Sequence, residues 1–494
     1  MAPPIDVPAG TTTGIGTPSD PDVRRTVAAV VIVIMLSVTI SLELTLVYPA
    51  LASLAMAFQT TNITWALSIV TLVGAAICPL AGKLGDAYGK NRVIAVIAVI
   101  CCLGSLLCAV APTFLLFVIG RGLQGVGLVM LILAWGYTRD VLPPRYVALG
   151  LGGTVAGLGI MSTAGPFLSA WLLALGGYRA IFWFMLAYTG VFLLAFVVIA
   201  PAGSTGRVRR RLDVPSALLL GVGVGLLLLG VTEGSGWGWV SVATLLSLLA
   251  GAVLIGGAFV RLRRVDEPLV DLRLLFGPEL RTTTALLFLG NFVPTGISVA
   301  LPLMTQTSPQ DGIDYGLGLT PLQYALLQMP NGIIATLCGP LGGLLARIRN
   351  PRLVARIGMG IMLAAALLLT FLHSHLWELL LVTGFYGVGF GLLFATFPNL
   401  VAQAVPAEDM AATSGVVSSV SGLAGSVAAV VAGVVLAGAV LRIDPVTTAP
   451  VYTNAGFVTV LLIVVAAALL GFLVSLFMRH GARPADGTAG GPVH

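Results

Sequence analysis

Gly82-Lys83-Leu84-Gly85-Asp86-Ala87-Tyr88-Gly89-Lys90-Asn91-Arg92 is a short polar stretch between two long apolar ones. Its end glycines permit a tight turn. Its aspartate and basic residues can pair with one another or cap the ends of neighbouring helices. The flanking runs, 62–82 and 93–111, each approach the roughly 20 apolar residues that a helix needs to cross a bilayer. The chain therefore reads as turning round at a membrane face.

The same pattern repeats outward from this loop. Apolar runs lie at 27–58, 62–82, 93–111, 113–139, 146–176, 179–201, 214–234, 238–260, 282–304, 321–346, 353–372, 376–402, 413–440 and 455–478, fourteen in all. Of the 494 residues 58% are hydrophobic and 9% charged, with a mean hydropathy of +1.04. A soluble domain carries about 25% charged residues, so these few charges cannot cover a soluble surface of this size. A soluble enzyme, a secreted disulfide scaffold and a disordered chain are excluded. The 61 glycines suit helices packed closely in lipid.

Cys78, Cys101, Cys102, Cys108 and Cys338 all lie inside apolar runs without zinc-ligand spacing, and read as packing residues. No metal site is expected. No Lys or Arg precedes Arg24, so the start of the chain reads as a disordered tail rather than a signal peptide. A second tail is expected at 479–494. No basic face interleaved with aromatics is present, so nucleic acid is not an expected partner.

With both termini cytoplasmic, the inner segments hold 22 of the 25 Lys and Arg residues. The outer loops hold only Arg179 and Arg442, and Arg121 alone lies within a run. This split follows the positive-inside rule. One helix more or fewer early in the chain would invert every later loop. Fourteen transmembrane helices, all-α, with both ends inside, are expected.

The chain also repeats itself. Gly125-Val126-Gly127 recurs as Gly387-Val388-Gly389, and Pro143 as Pro406, at nearly the same offset. In the fifth run a stripe with a spacing of four reads Gly153, Gly157, Met161, Gly165, Ser169; at a matching offset it reads Ser414, Ser418, Gly422, Ser426, Val430. The expected organisation is a tail over 1–25, a six-helix half over 26–201, two inserted helices over 202–262, a second six-helix half over 263–478, and the 479–494 tail. Parallel halves about a central cavity are the architecture of many secondary transporters.

The 82–92 loop resembles the loop signature of the major facilitator superfamily, in which a Gly, an Asp and a basic cluster recur at this spacing. Gly120-Arg121-Gly122-Leu123-Gln124-Gly125 resembles the Arg-Gln-Gly motif of that superfamily's fourth helix. Ala164-Gly165-Pro166 resembles the Gly-Pro motif associated with its antiporters, with Ser169-Ala170 standing where a Gly-Gly pair is usual. Leu42-Glu43-Leu44-Thr45-Leu46-Val47-Tyr48-Pro49 resembles the first-helix motif of the fourteen-helix drug:proton antiporters, with Glu43 at a position where Asp is usual and Tyr48 where Asn is common. Glu267-Pro268-Leu269-Val270-Asp271-Leu272 resembles the same branch. The resemblance implies the major facilitator fold, an antiporter motif at Gly157, Gly165 and Pro166, and an inner gate built from Gly82, Asp86, Gly89, Lys90, Arg92 and Asp140.

Glu43 and Arg121 are the only ionisable residues well inside the apolar runs, and charge at membrane depth is costly and usually functional. Counted along ideal helices from the outer ends of their runs, Arg121 lies about 12 Å deep and Glu43 about 22 Å, so their pairing is open. A carboxyl kept from water favours its protonated form, and a nearby guanidinium opposes this. Approach and withdrawal of Arg121 would then load and release a proton at Glu43; a static buried ion pair is the alternative. The glycine stripe reads either as helix packing or as a hinge at Pro166.

The second half lacks charge at depth. Candidate cavity residues are Tyr48, Trp65, Gln124, Asn291, Gln328, Asn331 and Asn399, and each polar group could instead bond between helices. Trp237 and Trp239 suit an interfacial anchor. His373 and His375 sit in a short outer loop. Gly221-Val222-Gly223-Val224-Gly225 follows no strand, so it is no nucleotide fingerprint, and no Walker A sequence exists.

The expected protein is a plasma-membrane, proton-coupled exporter of lipophilic neutral or monocationic small molecules. It works as a monomer without a cofactor, driven by the proton gradient. A dedicated exporter of one lipid or natural product is the nearest alternative. A receptor or scaffold would carry long loops, and a membrane enzyme would cluster His, Asp or Glu at one depth; neither feature is present.

Overall fold

The computed structural model describes residues 21–478 and 481, apart from 61, 81–83, 86–87, 143, 201–212, 266–276, 310–312, 405–409 and 444–449. Gly82, Lys83, Asp86, Pro143, Pro406, the 267–272 motif and nearly all of both tails lie outside the described residues, as do the side chains of Asn399, Ser414 and Ser418.

The described chain is nearly all helical. It runs α1 (Pro21–Thr45), α2 (Leu51–Phe58), α3 (Trp65–Ile77), α4 (Lys90–Val110), α5 (Phe114–Gly125), α6 (Leu128–Val141), α7 (Pro144–Ile199), α8 (Val214–Trp237), α9 (Val242–Leu262) and α10 (Pro278–Gln306). It continues with α11 (Pro321–Ile348), α12 (Pro351–Phe371), α13 (Leu376–Ala404), α14 (Met410–Ala437) and α15 (Asn454–Phe477). Apolar composition makes these segments helical in lipid, where every backbone group must find a partner within its own element. Local residues set the ends. Thr113, Asp213, Ser241, Thr320, Asn350 and Thr453 each accept a backbone N–H from the first turn of the helix they precede.

Twelve described helices are long and apolar enough to cross a membrane. One of these spans, Thr163–Ile199, belongs to α7, which leaves helical geometry at Gly176 and at Gly177, whose φ is +64°. The break falls in the expected gap between the fifth and sixth runs, where glycine alone tolerates that φ without strain. The shorter apolar helix α3 occupies the second run.

Three features depart from the sequence reading. The first run is not one helix, because α1 stops at Thr45. Pro49 has no N–H for the Thr45 carbonyl, and residues 46–51 wind more tightly, through bonds such as Val47 N–H to Leu44 O and Ala50 N–H to Val47 O. The fourth run is likewise interrupted between α5 and α6, where Val126, Gly127, Val129 and Met130 each bond three residues back. Finally, the chain is not wholly α: β1 (Val440–Ile443) pairs antiparallel with β2 (Pro450–Tyr452). Val440, Ile443, Val451 and Tyr452 suit a strand, but in an apolar context they read as the end of a span and a loop.

The helices α1–α7 pack among themselves, as do α10–α15, and the two groups meet along α3–α14 and α7–α11. The α8–α9 hairpin rests on α3 and α14 through α8. Gly223 of α8 and Gly251 of α9 face each other too closely to admit a methyl group, and Gly221 lies against Ala76; the glycine repeat in α8 is packing surface. One contact recurs in both groups. Gly125 abuts the backbone of Val70, and Gly387 abuts that of Asn331, so the internal repeat of the sequence is also a repeat of packing.

An apolar core continues from α10–α15 into α1–α7 at the end remote from Lys90, where Leu46, Val47, Leu51 and Leu54 join Val299, Leu303 and Met304. Gln306 Nε2 also donates to Pro49 O there, at 3.3 Å. Near the Lys90 end, α1–α7 have a core of their own, including Val30, Ile34, Ile94 and Leu133. Large apolar side chains such as Val198, Phe371 and Phe477 face outward and are exposed, as lipid-facing residues must be.

Candidate functional site

The two interruptions of helix meet at one place. Because Val47 N–H turns back to Leu44 O, the Glu43 carbonyl loses its helical donor. Arg121 takes it, with Nη2 donating to Glu43 O at 3.0 Å. The same guanidinium donates through Nε to Ala66 O of α3 at 2.8 Å and through Nη1 to Gln124 Oε1 at 2.6 Å. Gln124 lies one turn on, as i,i+3 spacing requires, and its Nε2 donates to Ser105 Oγ at 2.8 Å. The Phe182 ring lies beneath the guanidinium, 5.9 Å from Cζ to centroid.

Arg121, Gln124 and Glu43 are fully buried. The Arg121 donors are directed to neutral acceptors; the carboxylate of Glu43 is not among them. Both Glu43 carboxyl oxygens are buried without a hydrogen-bond partner among the described residues. Oε2 instead lies over Gly127, 3.6 Å from where a side-chain carbon would begin, with Cys101 Sγ alongside. The site thus juxtaposes a fixed cation and a buried, unpartnered acid. Arg121 Nη2 reaches the Glu43 carbonyl although helix counting set the two residues at unequal depths.

The glycine stripe runs along α1. Gly157 abuts Val38, Gly165 abuts Thr45, and Ser169 Oγ donates to Leu46 O at 2.6 Å, a carbonyl in the tightened turn. Pro166 is buried inside α7. On the other side of the same helix, Gly159 and Thr163 touch Thr336 and Gly332 of α11.

At the opposite end, Gly89 precedes α4 with a φ of +88°, and Lys90 forms an ion pair with Asp140 of α6. The stem of Lys90 lies against Gly136. Arg92 is exposed on the first turn of α4.

The other candidates are dispersed. Tyr48 is close enough to Arg121, Tyr324 and Tyr386 to interact with them electrostatically. Trp65 packs with Leu72, Leu228 and Val430 between α3, α8 and α14. Asn291 Nδ2 bonds Leu287 O of its own helix at 3.0 Å. Gln328 and Asn331 line a cavity within α10–α13. His375 pairs with Glu378, and no metal-binding cluster occurs among the described residues. Trp237 and Trp239 are exposed, as an anchor would be. Cys78, Cys101 and Cys108 are buried free thiols. Sequence reasoning missed the parts played by Ser105, Ala66 and Gly127, of which two act through backbone and only Ser105 through its side chain.

A sequence profile described as Major Facilitator Superfamily matches residues 28–429, and also 282–491. The chain belongs to the major facilitator superfamily. It is a multi-pass membrane transporter, not an enzyme. Among relatives, it is 28% identical over 383 residues to the multidrug resistance protein Stp of Mycobacterium tuberculosis, covering 76% of this chain and 69% of that protein. It is 29% identical over 429 residues to a multidrug resistance protein B homolog of the same species, covering 82% and 75%. It is 26% identical over 390 residues to a probable actinorhodin transporter of Streptomyces coelicolor, covering 76% and 66%. Against an uncharacterized MFS-type transporter of M. tuberculosis, also 28% identical, the chain spans only 54% of that protein's length. In fold it resembles the human organic anion transporter MFSD10, with a TM-score of 0.61, 16% identity, and 92% and 100% of the two chains covered.

Proposed function

We propose that this chain is a proton-coupled antiporter that exports lipophilic neutral or monocationic molecules across a bacterial plasma membrane by alternating access. The carrying observation is the Glu43 carboxyl, buried beside Arg121 without a partner among the described residues. Burying an ionised carboxylate without donors is costly, while the protonated acid avoids that cost. The guanidinium nearby opposes protonation, because its positive charge favours the anion. A change in the spacing of the two helix breaks therefore changes how readily Glu43 holds a proton. Relatives named for multidrug resistance support an efflux role.

In this reading the chain has fourteen transmembrane helices, counting α3 and the two arms of α7, with both termini cytoplasmic. Helices α1–α7 and α10–α15 are the two halves, and α8–α9 is an insertion. Cores joined at the end remote from Lys90 correspond to a form closed to the outside. By the sequence motif, Asp86 and Arg92 are assigned to an inner gate together with Gly82 and Gly89, and the Lys90–Asp140 pair braces the first half. The protein acts as a monomer and uses no cofactor. Reconstitution into proteoliposomes tests this reading. Uptake of lipophilic neutral and monocationic dyes should rise with an imposed proton gradient and collapse with a protonophore; dye flux indifferent to the gradient contradicts it.

A further inference from the structure

The helices α10–α13 enclose a cavity that the first half fills differently. The offset that carries Gly125 to Gly387 carries Arg121 to Thr383 and Gln124 to Tyr386, and both of these counterparts line the cavity. The correspondence is physical as well as numerical. Arg121 Nε donates to Ala66 O. Thr383 Oγ1 donates at 3.1 Å to Leu327 O, which holds the place of Ala66 in the second half. A threonine is far shorter than an arginine, and where the first half holds a guanidinium the second has a cavity with room for about one water-sized group.

The open space carries unsatisfied polar groups. Tyr386 is buried, with only 7% of its surface exposed, and its hydroxyl has no partner among the described residues. Asn331 Oδ1, on the opposing α11, is also buried and unpartnered. Gln328, bonded through Nε2 to Tyr324 at 2.9 Å, completes the polar wall, and Leu301 and Leu369 supply apolar ones. Among the described residues no acid or base lines the cavity. An orphaned acceptor and an orphaned hydroxyl call for one group that can both donate and accept.

We propose that this cavity is a subsite for the hydroxyl of a neutral aromatic or aliphatic alcohol, which donates to Asn331 Oδ1 and accepts from Tyr386 O–H while its apolar body lies outside along the leucines. The two halves then divide the work, the first holding the proton and the second the uncharged head group of the cargo. The inference rests on the exporter reading for the ligand's route, but not for its binding. A single bound water is the competing occupant.

The test is equilibrium binding to the full chain in nanodiscs, with empty nanodiscs as blank. The probes are 2-naphthol and 2-methoxynaphthalene. Naphthol should bind about 2- to 10-fold more tightly than its methyl ether, the difference of one neutral hydrogen bond. Asn331→Leu and Tyr386→Phe should erase that preference. Tyr386→Phe removes only an unpartnered oxygen, so its fold is secure. Equal binding of the two naphthalenes to the wild type, or an unaltered preference in Tyr386→Phe, would overturn the proposal and leave the cavity to water. A preserved preference without gradient-driven export would overturn the exporter reading alone; export without the preference would overturn only the subsite.

Discussion

Arg121 grips Glu43 by its backbone: Nη2 bonds the Glu43 carbonyl at 3.0 Å, while both oxygens of the Glu43 carboxyl remain without a partner among the described residues. The pair is therefore not a closed salt bridge. The guanidinium is anchored at three acceptors on three segments, which fixes its charge near the acid without engaging it.

On the proposed reading, Arg121 tunes Glu43 rather than neutralising it. A nearby cation favours the ionised form of a carboxyl, so its removal makes protonation easier. Arg121→Gln should therefore shift the pH profile of transport to the alkaline side. Arg121→Lys should restore it only partly, since an ammonium lacks the planar fork that reaches several acceptors at once. The check is initial transport rate against pH in proteoliposomes. An unchanged profile with lost substrate affinity would make Arg121 a substrate ligand.

The stripe on α7 behaves as packing surface at Gly165. A methyl group there would begin 2.7 Å from Thr45 Cβ. Overpacking costs about 1–3 kcal/mol, more than the roughly 1 kcal/mol that alanine gains over glycine in a helix. Gly165→Ala should lower the melting temperature, and adding Thr45→Gly, which removes the opposing Cβ, should recover part of the loss. Loss of transport that persists in a double variant of recovered stability would point to a hinge instead.

Asp213 offers a pH-dependent contribution outside the membrane. Burial pushes its carboxyl up, but hydrogen bonds from Ser216 and the 3.1 Å ion pair with Arg261 outweigh burial and hold it below the usual carboxylate range. A depressed acid stabilises the fold above its unfolded-state value, about 3.9, and that stabilisation is lost as pH falls through the folded value. Asp213→Ala removes the cap of α8, a loss of about 0.5–2 kcal/mol. Thermal unfolding should show the variant less stable than wild type at pH 7, with the gap narrowing below about pH 4.

Much of the helical fold was legible in the sequence because lipid imposes long apolar runs, and Glu43 and Arg121 stood out as ionisable residues within them. What escaped it depended on backbone. Pro49 signals a break, but not that the break frees the Glu43 carbonyl for Arg121. Ser105 escaped because a serine in an apolar run looks like packing until Gln124 is seen to reach it. Thr383 and Tyr386 could have been found by carrying the offset between Gly125 and Gly387 back to Arg121 and Gln124. The β1–β2 hairpin was hidden because strand-forming residues next to a span look like more span.

In the proposed transport cycle Glu43 carries the exchanged proton. The most direct measurement is proton flux alongside substrate flux in proteoliposomes bearing wild type or Glu43→Gln. Wild type should move protons against substrate. Glu43→Gln should stay folded and bind tetraphenylphosphonium, yet show neither gradient-driven transport nor substrate-linked proton movement. Glu43→Gln with wild-type pH dependence and proton flux would contradict the account and assign the proton to another group.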